Sequence, residues 1–280
     1  MARVLIAGCG FVGGATARLL QSAGWDVTGI TRSEESAARL VPQGLRVFPC
    51  DISDAAQMKK IAFEGADAVV HCASSAGGGA EEYRKIYLDG ARNLLEILHP
   101  QKFLFTSSTS VYAQTGGEWV AEESPAEPSG DTGKILRETE DLVLARGGIV
   151  ARLAGIYGPG RWALLRKFLD GTAVIEGDGS RWLNHIHRDD AASAIVKLLN
   201  NRSATGIYNV SDSTPLTQLD CLALLAEKYG KPLPPHGTPG IPRKRGITSK
   251  RVSNEKLRTL GWIPQFPSIR EALAGGGFPA

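Results

Sequence analysis

The stretch Val4-Leu5-Ile6-Ala7-Gly8-Cys9-Gly10-Phe11-Val12-Gly13-Gly14 decides how this chain is read. Four apolar residues in a row fit a strand buried on both faces, and glycines follow at once. Beyond them Ala15, Ala17, Leu19, Leu20 and Ala23 recur at helical spacing as far as Gly24. Gly8, Gly10 and Gly13 therefore stand as G-x-G-x-x-G between a strand and a helix, the context that dinucleotide binding requires. Gly8 lets the chain turn sharply, Gly10 admits a pyrophosphate to backbone N–H groups, and Gly13 brings the helix against the strand. Phe11 and Val12 open that helix, whose N-terminal partial charge favours the phosphates.

Composition sets the outer limits. At 280 residues the chain has room for one large domain or somewhat more. A hydrophobic share of 42% and a charged share of 22% are ordinary for a soluble globular protein. A net charge of +3 is too small to argue for a nucleic-acid partner. No apolar run approaches the roughly 20 residues of a membrane span, and the opening strand, turn and helix do not read as a signal peptide. Cys9, Cys50, Cys72 and Cys221 are scattered without zinc spacing, which fits reduced thiols and an expected cytoplasmic location.

Strand candidates at 3–7, 26–30, 45–48, 67–72, 102–107 and 148–153 alternate with helical stretches near 11–23, 34–41, 54–63, 81–98 and 132–146. That alternation predicts an α/β fold: a Rossmann-type, doubly wound parallel sheet covered by helices. Right-handed crossovers place the strand C-termini along one edge, where ligands bind, so the residues just after each strand matter most. After the second strand stand Thr31-Arg32-Ser33, with no acid until Glu34. An NAD site usually offers a carboxylate there for the ribose hydroxyls; Arg32 and Ser33 suit a 2′-phosphate instead. NADP(H) is the expected cofactor, with NAD as the alternative and a solvated loop arginine as the plain reading of Arg32. Asp51 and Ile52 follow the third strand, where an adenine ring would lie. Ala73 and Ser74 follow the fourth, small enough for backbone to pass close to ribose and phosphate. The connection 76–80, all glycine and alanine, reads as mobile.

The fifth strand runs into Phe105-Thr106-Ser107-Ser108-Thr109-Ser110-Val111-Tyr112-Ala113. Together with GCGFVGG, CDISD, TGKILRETE, RLAGIYGPGR, HIHRDDAASAI and LGWIPQF, this segment resembles the extended short-chain dehydrogenase/reductases, the NAD(P)-dependent epimerase/dehydratases. The resemblance covers nearly the whole chain. It implies that Ser108 is the catalytic serine and that neighbouring Ser107 borders the cofactor. It implies that Lys134 holds the nicotinamide ribose and that Ala154, Gly155 and Ile156 lie against the carboxamide. It further implies a homodimer built through the helices 81–98 and 131–146, and a small-molecule substrate.

One departure stands out. The family's tyrosine lies four residues before its lysine, and counted back from Lys134 that position is Gly130. A phenol beside an ammonium exchanges a proton with substrate; glycine cannot. The chain therefore resembles an atypical subset that lacks the tyrosine. Tyr87, at the position of a family asparagine, and Tyr112, after the serine strand, are substitute candidates, although a structural role is the plainer reading of each. Gly155 stands where many nucleotide-sugar enzymes have asparagine, which weakens a nucleotide-sugar assignment.

The remainder reads less regularly. The first 160 residues, with contributions from about 185–212, form the cofactor domain, and 161–280 a smaller substrate lobe. Glu118 and Trp119 sit in a surface loop that lies over the substrate mouth in relatives. Arg161 fits either an anionic substrate group or solvent. His185 and His187 alternate as on one strand face, but no third ligand is near, so no metal is expected. Asp189 and Asp190 read as helix-capping acids. Arg243-Lys244-Arg245 with Lys250 and Arg251 reads as a charged loop, or as a site for substrate phosphate. An oxidoreductase acting on a hydroxyl or carbonyl carbon is the leading expectation; the alternative is a catalytically silent NADP(H) sensor or scaffold.

Overall fold

The computed structural model describes residues 1–61, 65–75, 77–238, 248–275 and 278. Ala76 of the glycine-rich connection, the run 243–245 and the glycines 276–277 lie outside them. Seven strands form one parallel sheet: β1 (Arg3–Ala7), β2 (Asp26–Thr31), β3 (Arg46–Pro49), β4 (Ala68–His71), β5 (Lys102–Ser108), β6 (Ile149–Leu153) and β7 (Gly206–Val210). Their order is β7-β6-β5-β4-β1-β2-β3, and every neighbouring pair runs parallel. The chain winds outward from β1 in both directions, so the crevice at the C-terminal ends of β1 and β4 is the switch point where such sheets take ligands.

Helices α1 (Phe11–Ser22), α2 (Glu34–Leu40), α3 (Ala55–Lys60), α4 (80–98) and α5 (Asp131–Leu144) fill the crossovers of the first six strands. They are followed by α6 (Ala163–Leu169), α7 (Arg188–Asn200), α8 (Gln218–Tyr229), α9 (Glu255–Thr259) and α10 (Ile269–Ala274). One apolar layer lies between the sheet and α1 and α7; another lies between the opposite face and α4 and α5. A third core, around Tyr157, Trp162, Phe168, Leu222 and Ile269, belongs to the C-terminal segments. Both faces of the central strands are buried, as their apolar runs require, whereas the edge strand β3 buries only Val47.

Two local features differ from the sequence reading. The stretch read as one helix over 81–98 contains a π-helical turn, Arg84–Asp89, between α-helical ends. That widened turn leaves the Ile86 and Tyr87 carbonyls to accept from buried His71 Nε2 at 3.1 and 3.3 Å. The cap of α7 is His187, whose Nδ1 accepts from Asp189 N at 3.2 Å. Asp190 is buried and accepts from Gln265 N and Phe266 N at 2.6 and 2.9 Å, so it ties down the C-terminal segment rather than capping.

Short strand pairs carry remote segments to the sheet edge. Gly155–Tyr157 pairs parallel with His185–His187, and Trp119–Val120 pairs parallel with Arg251–Val252. These pairings fix the chain around Arg181–His185 and Lys250 opposite the ends of β5 and β6.

Candidate active site

The sheet edge opens on a cleft of about 1200 Å³. Its floor is the glycine turn. Gly8 has φ +93°, and a Cβ there would lie 2.4 Å from the Ala73 Cα. A Cβ on Gly13 would lie 2.2 Å from the Gly8 carbonyl oxygen. Both positions are closed to any side chain, the first by conformation and contact and the second by contact alone. Gly10 differs: a Cβ there meets nothing within 4 Å, because it would point into the cleft. Helix α1 has no side-chain cap at Gly10 and no acid in its first turn. Its leading N–H groups are thus directed at a space suited to a diphosphate, which fits a dinucleotide.

The residues expected from the strand tips mostly converge here. Gly8, Gly10, Phe11, Val12, Arg32, Ser33, Asp51, Ile52, Ala73, Ser74, Ser107, Ser108, Ala154, Gly155, Ile156 and Tyr87 all line the cleft. Asp51 Oδ1 also accepts from Ser53 N at 2.9 Å and so shapes its own turn. At the end of β2, Arg32 pairs with Glu82 at 3.0 Å in an exposed bridge, and Ser33 caps α2 by accepting from Ser36 N. Ser36 and Arg39 join them in the lining, two residues the sequence reading missed. A second arginine one turn into the helix was the available signal.

Beneath the Ser107–Ser108 end of the cleft lies a buried ion pair. Glu140 and Arg152 are both almost wholly buried and meet at 2.7 Å, and Ser107 Oγ donates to Glu140 Oε1 at 2.6 Å. Ser107 therefore spends its hydroxyl inward and offers backbone to the cleft. Ser108 Oγ accepts from Ser110 N at 3.2 Å, which fixes the turn that presents it.

Two expectations are corrected by the geometry. Tyr112 is fully buried and does not line the cleft; its hydroxyl lies 2.9 Å from both Ala121 O and Asn209 Oδ1, and burial pushes the phenol up. It holds the core under β5 and cannot reach a substrate. Lys134 is 64% exposed, with Nζ 3.7 Å from Asp131 Oδ1, and it too is absent from the cleft wall. The α5 residue that faces the cleft is Leu136. Helical geometry separates the two by about 200°, so α5 presents an aliphatic group where a ribose-binding cation was expected.

The remaining walls of the cleft come from residues elsewhere in the chain. Arg161 lies with its guanidinium carbon 5.1 Å from the Phe11 ring centroid, over the first turn of α1. Arg181, Trp182, Asn184, His185, Thr248 and Lys250 close one end. His185 is buried, and burial holds its imidazole down at about 4, hence neutral. Among the described residues no group of three His, Cys, Asp or Glu is placed to hold a metal. Likewise, no helix there is long and apolar enough to cross a membrane. Trp119 of the surface loop lies outside the cleft, with the Arg251 guanidinium 5.2 Å from its ring centroid.

Known proteins share this frame. Protein YeeZ of Escherichia coli K12 is 30% identical over 277 residues, covering 95% of this chain and 97% of its own length. A Methylobacillus flagellatus protein assigned to the NAD-dependent epimerases/dehydratases superposes with a TM-score of 0.82 at 32% identity, over 98% of this chain and 96% of that one. DesIV, a dTDP-glucose 4,6-dehydratase from Streptomyces venezuelae with NAD bound, shares the fold at 23% identity and a TM-score of 0.83, over 98% and 95% of the two chains. Residues 4–211 match the NAD dependent epimerase/dehydratase family. By fold, glycine turn and match, the chain belongs to that family.

Proposed function

We propose that this chain is an NADP(H)-dependent oxidoreductase acting on a hydroxyl or carbonyl carbon of a small, sugar-like substrate. The observation that carries the reading is the uncapped α1 N-terminus at Gly10, opening on the same cleft as Ser108. A bound nicotinamide would supply hydride exchange at its C4. Gly8, Gly10 and Gly13 shape the diphosphate cradle, and Arg161 adds positive charge above it. Arg32, Ser33, Ser36 and Arg39 form the pocket for a 2′-phosphate, whose charge would exchange readily with the exposed Glu82 pair. Ala154, Gly155 and Ile156 wall the nicotinamide, and Ser108 orients the substrate oxygen. Tyr87 supplies the remaining phenol of the wall. The chain would act as a homodimer paired through α4 and α5, which Arg84 and Glu138 bridge within one copy at 2.9 Å.

A second reading is kept because one observation favours it. Leu136 in the cleft and Lys134 in solvent remove the cation of the family's proton relay, as a silent NADP(H) sensor would. NADPH oxidation measured against a panel of aldoses and ketoses, beside a cofactor-bound crystal structure, separates the two. Turnover with Ser108 next to the nicotinamide is the expected result. Bound cofactor without turnover on any sugar, and no polar side chain near C4, would leave the sensor.

A further inference from the structure

Lys250 enters the cleft from a segment about 240 residues away from the glycine turn in sequence. It is 4% exposed, and its Nζ donates to the neutral Thr248 Oγ1 at 3.0 Å. Among the described residues it forms no ion pair. A buried ammonium with no carboxylate at ion-pair distance among the described residues is disfavoured by desolvation, and is seldom kept without a use.

Its backbone is held firmly. Asn184 Nδ2 donates to Lys250 O at 2.9 Å, and Asn184 Oδ1 accepts from Val252 N at 2.7 Å. The same residue's carbonyl accepts from Gly155 N at 3.0 Å. One asparagine thus ties Lys250 to the wall assigned to the nicotinamide. Ser249 is clamped as well, by Gln114 O and Gly117 N at 3.0 and 2.8 Å. The charged groups facing Lys250 are Arg181, itself 3.8 Å from Glu176, and Glu118 of the loop before Trp119. His185 lines the same end and is neutral. Burial, helped by Arg181 and opposed by Glu118, brings the ammonium down to about 8, a range useful for proton transfer near neutrality.

We propose that Lys250 is the proton donor of this cleft, standing in for the family's tyrosine–lysine pair and protonating the substrate's carbonyl oxygen during reduction. The proposal rests on the oxidoreductase reading above. As hydride adds to the carbonyl carbon, the C=O π pair becomes the new O–H bond. The proton of that bond leaves the Lys250 ammonium, and the neutral amine regains one from water. Oxidation runs the same transfer backward.

Two measurements test it. In the apoprotein, brief reductive methylation with formaldehyde and cyanoborohydride, mapped by mass spectrometry from pH 6 to 10, reads Lys250 without cofactor or substrate. Labelling half-maximal near pH 8 is expected; no labelling, or the profile of an ordinary surface lysine near about 10.4, overturns the proposal. With NADPH and D-glyceraldehyde or 9,10-phenanthrenequinone, wild-type kcat should fall above pH 8. K250M should lower kcat about 100-fold or more at nearly constant KM. If K250M does not fold, K250R decides, because it keeps the charge and should lose the limb near pH 8. An unchanged kcat, a rise in KM alone, or a K250R profile that still bends near pH 8 removes Lys250 and leaves the oxidoreductase reading standing. No oxidation of NADPH by wild-type protein with either probe removes both.

Discussion

At the dinucleotide end of the cleft the wall is backbone: Gly8 under the Ala73 peptide, Gly13 against the Gly8 carbonyl, and the open N–H groups of α1. At the other end the wall is side chains from three separate segments: Leu136, Arg181 to His185, and Lys250. The first end is set by local sequence, because glycine spacing alone dictates which atoms can approach. The second is set by tertiary packing, and its chemistry follows from which side chains the C-terminal segments happen to bury. Family membership thus transfers the cofactor end more securely than the reaction.

The sharpest break of this comparison is at the glycines. Gly8→Ala forces a side chain into φ +93° and into the Ala73 backbone; a loss of about 2–4 kcal/mol and of NADPH binding is expected by denaturant unfolding and calorimetry. Gly10→Ala should leave the melting temperature nearly unchanged yet weaken NADPH about tenfold or more, since its methyl occupies only cleft space.

Two buried histidines, His185 in the cleft wall and His71 beneath α4, allow a pH comparison. Burial holds His71 and His185 down at about 4 from an ordinary 6.5. The unfolded chain therefore binds more protons between these values, and stability falls as pH is lowered through that window. Each imidazole contributes up to about 3 kcal/mol of that loss. H185F should flatten the wild-type slope of unfolding free energy against pH between 6.5 and 4; an unchanged slope would show that the site titrates normally.

Smaller effects divide the cofactor pocket from the solvent face. Removing both Arg32 and Arg39 by alanine should weaken NADPH about 10–100-fold while leaving NADH within about twofold. Equal losses for both nucleotides would move the arginines off the 2′-phosphate. Lys134→Ala should change neither NADPH affinity nor turnover beyond about twofold, because an exposed pair contributes little. A large loss there would restore the ribose-binding role and sink the assignment of Leu136.

Much of the fold was legible because apolar runs and turn glycines alternate so regularly that each of the first six sheet strands was placed to within a residue or two. The strand tips followed, and with them most of the residues that line the cleft. The roll of α5 was not legible from the lysine alone. Its charged positions Lys134, Glu138 and Asp141 share one exposed face, while Leu136, Glu140 and Val143 share the buried one. That helical periodicity was present in the sequence, but a motif spacing outweighed it. Glu140 as an inward carboxylate reveals itself only once Arg152 and Ser107 are seen around it. Lys250 stood in a run of cations that reads as solvated, and its burial depends on Asn184 and the loop near Gly117, both distant in sequence. The π turn at Arg84–Asp89 was not read from the sequence; its Ile86 and Tyr87 carbonyls accept from His71 Nε2, a contact between residues distant in sequence.

Calorimetric titration of the purified protein with NADPH and then with NADH addresses the central claim most directly. One NADPH bound per chain, about tenfold or more tighter than NADH, is the result this account requires. Absence of binding by both nucleotides would contradict it at the glycine turn itself.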